Sequence, residues 1–203
     1  MKRKIVLTVA VLGLVMGALL ITARPSHAIP DFWHLNVPKV GQPTGSNWCW
    51  AASLRSIMKY HGTYVGQCQI VREGWGLPCY SWLFGYPDSV PQSVLTEHGF
   101  SSTVTGQISF NSIRNELYYS NRPIYVRVMY SWVPPRGHAF VLSGYDASGA
   151  QYVERMDPGY GGEYDGGGEF FTCTYDWLQH GGPCPDQGDN GHSWDATIRN
   201  IHK

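Results

Sequence analysis

NWCWAASLRSIMKYHG, residues 47–62, is the stretch whose reading decides the fold. Ala51, Ala52, Leu54, Ile57 and Met58 recur at helical spacing and Gly62 supplies a stop, so the segment predicts a helix over 48–61. Cys49, between Trp48 and Trp50, opens it. A helix start presents unpaired N–H groups and the positive end of the helix dipole, surroundings that favour a thiolate. Read alone, a cysteine in an Ala-rich helix is more simply a small buried hydrophobe. The rest of the chain has to decide between the two.

The pattern downstream falls into unlike halves. A second helix is predicted over Ser89–His98, ended by Gly99, and a third over Asn111–Tyr119, with Ser109 or Asn111 as cap. After Asn121-Arg122-Pro123 the residues turn β-branched and aromatic. Strands are predicted over Ile124–Tyr130, Ala139–Tyr145, Gln151–Met156, Glu169–Thr174 and Trp194–Ile201, with one helical turn over Tyr175–Gln179. A helical N-terminal half and a β C-terminal half make an α+β protein with a cleft at the junction. No internal repeat interrupts this order.

Residues 1–28 read as a signal peptide outside the fold. Lys2, Arg3 and Lys4 precede an apolar run over Ile5–Ala23, and Ser26-His27-Ala28 offers a small-x-small cleavage site. The 19-residue run is long enough for an uncleaved anchor, but the Ala28 site favours cleavage and a secreted, extracellular or periplasmic chain. Its removal leaves 175 residues, 29–203, enough for one domain with a core. Lys2, Arg3, Lys4 and Arg24 go with it, so 11 basic residues face 15 acidic ones. This mildly acidic chain without basic clusters speaks against nucleic-acid binding. No membrane association is expected after cleavage, and the chain is expected to be a monomer.

All five cysteines lie in the mature part. Export makes disulfides the default, and local pairing of Cys68 with Cys79 and Cys173 with Cys184, each enclosing ten residues, is the simplest connectivity. Zinc is the rival reading, but no Cys-x-x-Cys knuckle or clustered Cys/His spacing exists, so neither metal nor cofactor is expected. The odd cysteine is then Cys49. An unpaired thiol in an oxidising compartment is a liability, and keeping one points toward use.

Among seven mature histidines, His138 alone begins a strong strand. If Asp146-Ala147-Ser148-Gly149 is a four-residue hairpin loop with Tyr145 opposite Ala150, then His138 lies directly opposite Asp157, Cβ atoms about 5 Å apart. Asp157-Pro158 is also a common turn starter. A cysteine nucleophile, a histidine base and a carboxylate that orients it are the parts of an acyl-transfer enzyme. Gln42, seven residues before Cys49, is placed to fold back as an oxyanion donor beside the Cys49 N–H, although a glutamine in a polar loop is otherwise unremarkable. Trp48, Trp50, Trp75, Trp82 and Trp132 are candidates for a subsite or, more commonly, core residues.

Gln42, Cys49-Trp50 opening a helix, the Gly137-His138 strand and the hairpin to Asp157-Pro158 together resemble papain-like cysteine peptidases. VPKVGQP at 37–43 followed by WCWAAS at 48–53 is similar to the core of bacterial bacteriocin-processing and plant-pathogen effector members. The likeness covers most of 37–160. It implies an α+β papain-like domain over 29–203, a helical N-terminal lobe packed on an antiparallel sheet or half-barrel with the active site between them. It also implies Cys49 as nucleophile, His138 as general base and acid, Asp157 as orienter and Gln42 in the oxyanion hole. Cys68-Gln69-Ile70-Val71 is similar to the family's disulfide-bearing stretch. The Gly-rich loop at 159–168 and the second cysteine pair fall outside the likeness, and little room for an inhibitory propeptide lies between Ile29 and Gln42. The expected activity is peptide-bond hydrolysis on a peptide or protein substrate. A cell-wall peptide amidase with the same Cys-His chemistry, or an inactive papain-like binding protein, are the alternatives.

Overall fold

The computed structural model describes residues 28–76, 78–79, 89–131, 136–184, 188–189 and 191–203. Apart from Ala28 the expected signal peptide lies outside these residues, as do Trp82 and Trp132. In chain order the elements are β1 (Phe32–His34), β2 (Val40–Gly41), α1 (Cys49–Tyr60), α2 (Gln67–Trp75), α3 (Ser89–Glu97), β3 (Ser101–Thr105) and α4 (Phe110–Tyr119). Then follow β4 (Ile124–Tyr130), β5 (Arg136–Asp146), β6 (Tyr152–Asp157), β7 (Tyr164–Asp165), β8 (Glu169–Thr174), α5 (Tyr175–His180), β9 (Pro183–Cys184), β10 (Gly188–Asp189) and β11 (His192–His202).

Helix α1 forms where the spacing predicts it and ends where Gly62, at φ 77°, lets Thr63 N–H turn back onto the Met58 carbonyl at 2.8 Å. Leu54, Ile57 and Met58 are wholly buried, and the helix packs on β5, β4 and β6. Ser109 caps α4 by accepting from Ser112 N–H at 3.2 Å. The antiparallel sheet runs β3-β11-β4-β5-β6-β8, and β1 joins the far end of β5. Helices on one side of the junction and this sheet on the other give the expected α+β architecture.

Two departures matter. The N-terminal half is not purely helical: β3 leaves it to form the sheet edge against β11, and α2 fills a stretch that carries no capping side chain. The hairpin register also differs from the simple one. Asp146 pairs with Tyr152, so the loop is 147–151, and the ladder shifts at Ser143 before Val141 pairs with Met156. The Asp146 carboxylate accepts Ser148 N–H at 2.8 Å, and the Gln151 carbonyl is engaged by Tyr175 N–H at 2.7 Å, which together draw the loop out to five residues. His138 and Asp157 therefore lie beyond the paired stretch, offset along the strands rather than directly opposite.

Candidate active site

The site is assembled where the first turn of α1 meets the ends of β5 and β6. Cys49 is buried and is the free cysteine; Cys68 is bonded to Cys79 and Cys173 to Cys184. The Cys49 sulfur lies near enough to the imidazole of His138 to act on its protonation. On its other side His138 Nε2 lies 2.7 Å from Asp157 Oδ1, so the diagonal offset is bridged by side-chain reach. With Nε2 donating to the carboxylate, Nδ1 is the ring nitrogen left for the thiol. The Tyr130 ring lies over the imidazole with centroids 6.4 Å apart, and Phe140 flanks it at 6.2 Å.

Burial works against a charged imidazole, but the Asp157 carboxylate, by its charge and its hydrogen bond, and the Cys49 sulfur overcome it and hold His138 well above its usual range. Burial likewise works against the Asp157 carboxylate, which is 1% exposed. His138, the Arg155 guanidinium and the Gly159 N–H overcome that and hold it below the usual carboxylate range. Asp157 Oδ1 also accepts Gly159 N–H at 2.9 Å and Oδ2 accepts Arg155 Nη1 at 2.8 Å.

Arg155 is the residue that sequence reasoning passed over. Its side chain is 1% exposed, and its guanidinium carbon lies 4.4 Å from the Trp177 ring centroid, 4.9 Å from Phe140 and 5.4 Å from Phe171. The signal was present: a charged residue two positions before Asp157 on a strand shares its face. The aromatic walls come from three different elements, α5, β5 and β8, and were invisible from the chain.

Gln42 stands in the loop before α1, with its carboxamide nitrogen donating to the Ser46 carbonyl at 2.9 Å and Oε1 buried. A strap made by the Gly-rich loop fixes this segment. Gln42 N–H donates to the Pro158 carbonyl at 2.8 Å, and β2 pairs with β7 through Val40–Asp165 and Gly41–Tyr164. The Glu163 carboxylate accepts Thr44 N–H at 2.7 Å. Asp165 is held by Arg55 (3.0 and 2.8 Å) and Lys59 (3.2 Å) of α1. From below, buried Gln67 donates to the Gly41 carbonyl at 2.8 Å. The loop that begins at Asp157-Pro158 thus returns over the Gln42 segment and ties it to the helix of Cys49.

Trp48 and Trp50 are buried in the core rather than lining a surface, and Trp75 is half-buried against it. Among the described residues no group of three or more His, Cys, Asp or Glu side chains is disposed to hold a metal, and no helix is long and apolar enough to cross a membrane.

Comparison with known proteins places this geometry. No curated protein matches the sequence. Among solved structures, the peptidase domain of Streptococcus ComA, a bi-functional ABC transporter involved in a quorum-sensing pathway, superposes with a TM-score of 0.53 at 13% identity, over 80% of this chain and 96% of that one. UfSP from C. elegans superposes at 0.52 and 14% identity, over 90% of this chain but only 36% of that one. A cysteine protease from Carica candamarcensis reaches 0.48 at 13% identity, over 84% and 98%. Identities this low speak to fold alone. The family assignment comes from residues 34–182, well over half of the chain, which match the Peptidase_C39 like family. The chain belongs to that family, and is a cysteine peptidase.

Proposed function

We propose that the mature chain, exported and cleaved after Ala28, hydrolyses peptide bonds through Cys49, His138, Asp157 and Gln42. The Cys49 thiolate attacks the scissile carbonyl carbon, and the oxyanion that forms is met by the Cys49 N–H and the Gln42 carboxamide, which leaves Ser46 to do so. His138 gives its proton to the departing amine as the C–N bond breaks, leaving a thioester. Water then loses a proton to His138 and attacks the thioester, releasing the acid and restoring the thiolate–imidazolium pair. Asp157 keeps the imidazole in the tautomer and orientation that this requires. One observation carries the reading: the free cysteine opens a helix beside a histidine that is itself 2.7 Å from a buried carboxylate.

The test is the purified mature chain on a peptide library and on peptidoglycan, with Cys49→Ala as control. Cys49→Ala should abolish turnover without unfolding, since it removes little volume. Gln42→Ala should lower kcat about 10²-fold. A change in KM alone would make Gln42 a substrate-binding residue. Cleavage of peptidoglycan stems with no peptide-library cleavage would give the cell-wall amidase instead, and inertness on both would leave a binding protein.

A further inference from the structure

We propose that Arg155 is a positioning residue of this reaction, holding Asp157 ionised and aimed at His138 through the whole catalytic cycle. The inference rests on the reading of the site given above. In the resting site the Cys49 thiolate, the His138 imidazolium, the Asp157 carboxylate and the Arg155 guanidinium sum to zero charge. Once His138 has passed its proton to the leaving amine and the sulfur is acylated, only Asp157 and Arg155 remain charged, and the sum is again zero. Without Arg155 that second state would hold a lone carboxylate that is 1% exposed, and a buried charge without a partner is strongly disfavoured. The carboxylate would then take a proton or turn away, and Nε2 of His138 would lose the acceptor that fixes its tautomer.

The geometry suits this task. Arg155 binds Oδ2 and leaves Oδ1 to His138 and Gly159 N–H, so the two cations do not compete for one oxygen. Stacking against Trp177, Phe140 and Phe171 stabilises the guanidinium beside Asp157. The planar group can lie against these rings and still direct an N–H along the carboxylate, which an ammonium cannot match. A purely structural arginine, joining β6 to α5 and β8, would make the same contacts, so the test must separate stability from proton handling.

The mature enzyme is compared with Arg155→Met, Arg155→Lys, Asp157→Asn and the Arg155→Met/Asp157→Asn double variant, reading kcat, KM, Tm and the alkaline limb of kcat/KM. The groups facing His138 are Asp157, Cys49 from α1, Tyr130 from β4 and, next to Tyr130, Tyr160 and His192. Arg155→Met leaves all of these in place. It should lower kcat about 10²-fold with KM little changed, as for a displaced reacting group. It should also move the alkaline limb upward, because His138 becomes the sole cation beside Asp157. Arg155→Lys should keep the wild-type limb while losing Tm. The double variant should turn over at least as fast as Arg155→Met, since it no longer strands a carboxylate. Wild-type kcat and limb in folded Arg155→Met, or losses that multiply in the double variant, would overturn the proposal. If Arg155→Met does not fold, Arg155→Gln, which keeps a hydrogen-bond donor but no charge, decides: a limb moved upward supports the role and an unmoved limb removes it. Cys49→Ala, run alongside, reports on the site itself. Residual turnover there would defeat the underlying reading, whereas an inert Cys49→Ala with an unaltered Arg155→Met would remove only the arginine's role.

Discussion

Gly41→Ala tests the strap, because Gly41 is where the Gly-rich loop lies closest to the segment carrying Gln42. A Cβ there would overlap the Gly162 carbonyl oxygen and come within 2.9 Å of its carbon and 3.0 Å of Gly168 N. All three are backbone atoms, so no side chain can swing aside, and β2 must part from β7 by on the order of 1 Å. Overpacking of this kind costs about 1–3 kcal/mol. For a chain of this length that is a fall in Tm of roughly 3–10 °C. Gln42 adjoins Gly41, and a displacement near 1 Å of a positioned group lowers turnover about 10²-fold. The assay pairs kcat on a peptide substrate with the alkylation rate of Cys49 by iodoacetamide. Alkylation forms no oxyanion, so it should stay within about threefold of wild type while kcat falls. Wild-type Tm and kcat would refute the steric argument. Parallel loss of alkylation and kcat would refute the claim that the strap acts through Gln42 rather than through the thiol–imidazole pair.

Two further outcomes follow from the charges and the cross-links. Because His138 titrates well above its usual range, the alkaline limb of kcat/KM should lie clearly above pH 6.5, and Asp157→Asn should bring it down. The linked stability has the same sign: the His138 contribution is complete below its unfolded value and is lost as pH rises through the raised folded one, while that of Asp157 is present above its unfolded value and is lost as pH falls through the lowered folded one. Tm against pH for wild type and His138→Ala measures the first, and a flat difference above pH 6.5 would contradict it. Replacing Cys173 and Cys184 together by serine should cost about 3 kcal/mol on the chain-entropy account and leave kcat intact at temperatures where the chain is folded. A bridge from Cys49 to any other cysteine in fully active enzyme, found by non-reducing peptide mapping, would overturn both the pairing and the nucleophile.

What could be read from the chain was what depends on local pattern. The α1 helix follows from five apolar residues and a glycine, β4 and β8 from β-branched and aromatic runs, and the free Cys49 from pairing cysteines with their nearest neighbours. The elements that escaped are those whose existence depends on a distant partner. β2 and β7 are two residues each and form strands only because they meet one another, and β3 is a strand because β11 offers an edge. The α2 helix lacks a capping side chain at Gly66 and shows no start signal in sequence.

The hairpin shows why a correct partner can emerge from an incorrect register. A four-residue loop would set His138 directly across from Asp157, and the longer loop and the shift at Ser143 move them out of direct opposition. The pair survives because both residues sit on the same face of adjacent strands, and face depends only on the two-residue period. A slip by one residue would have separated them. What the register does change is the company they keep: in the observed pairing Phe171 stands opposite Arg155 in β8, and Phe140 and Trp177 close around the same guanidinium. The identity of the histidine's partner was therefore legible from face alone, while the cation that neutralises that partner depended on register, helix placement and three rings from separate elements.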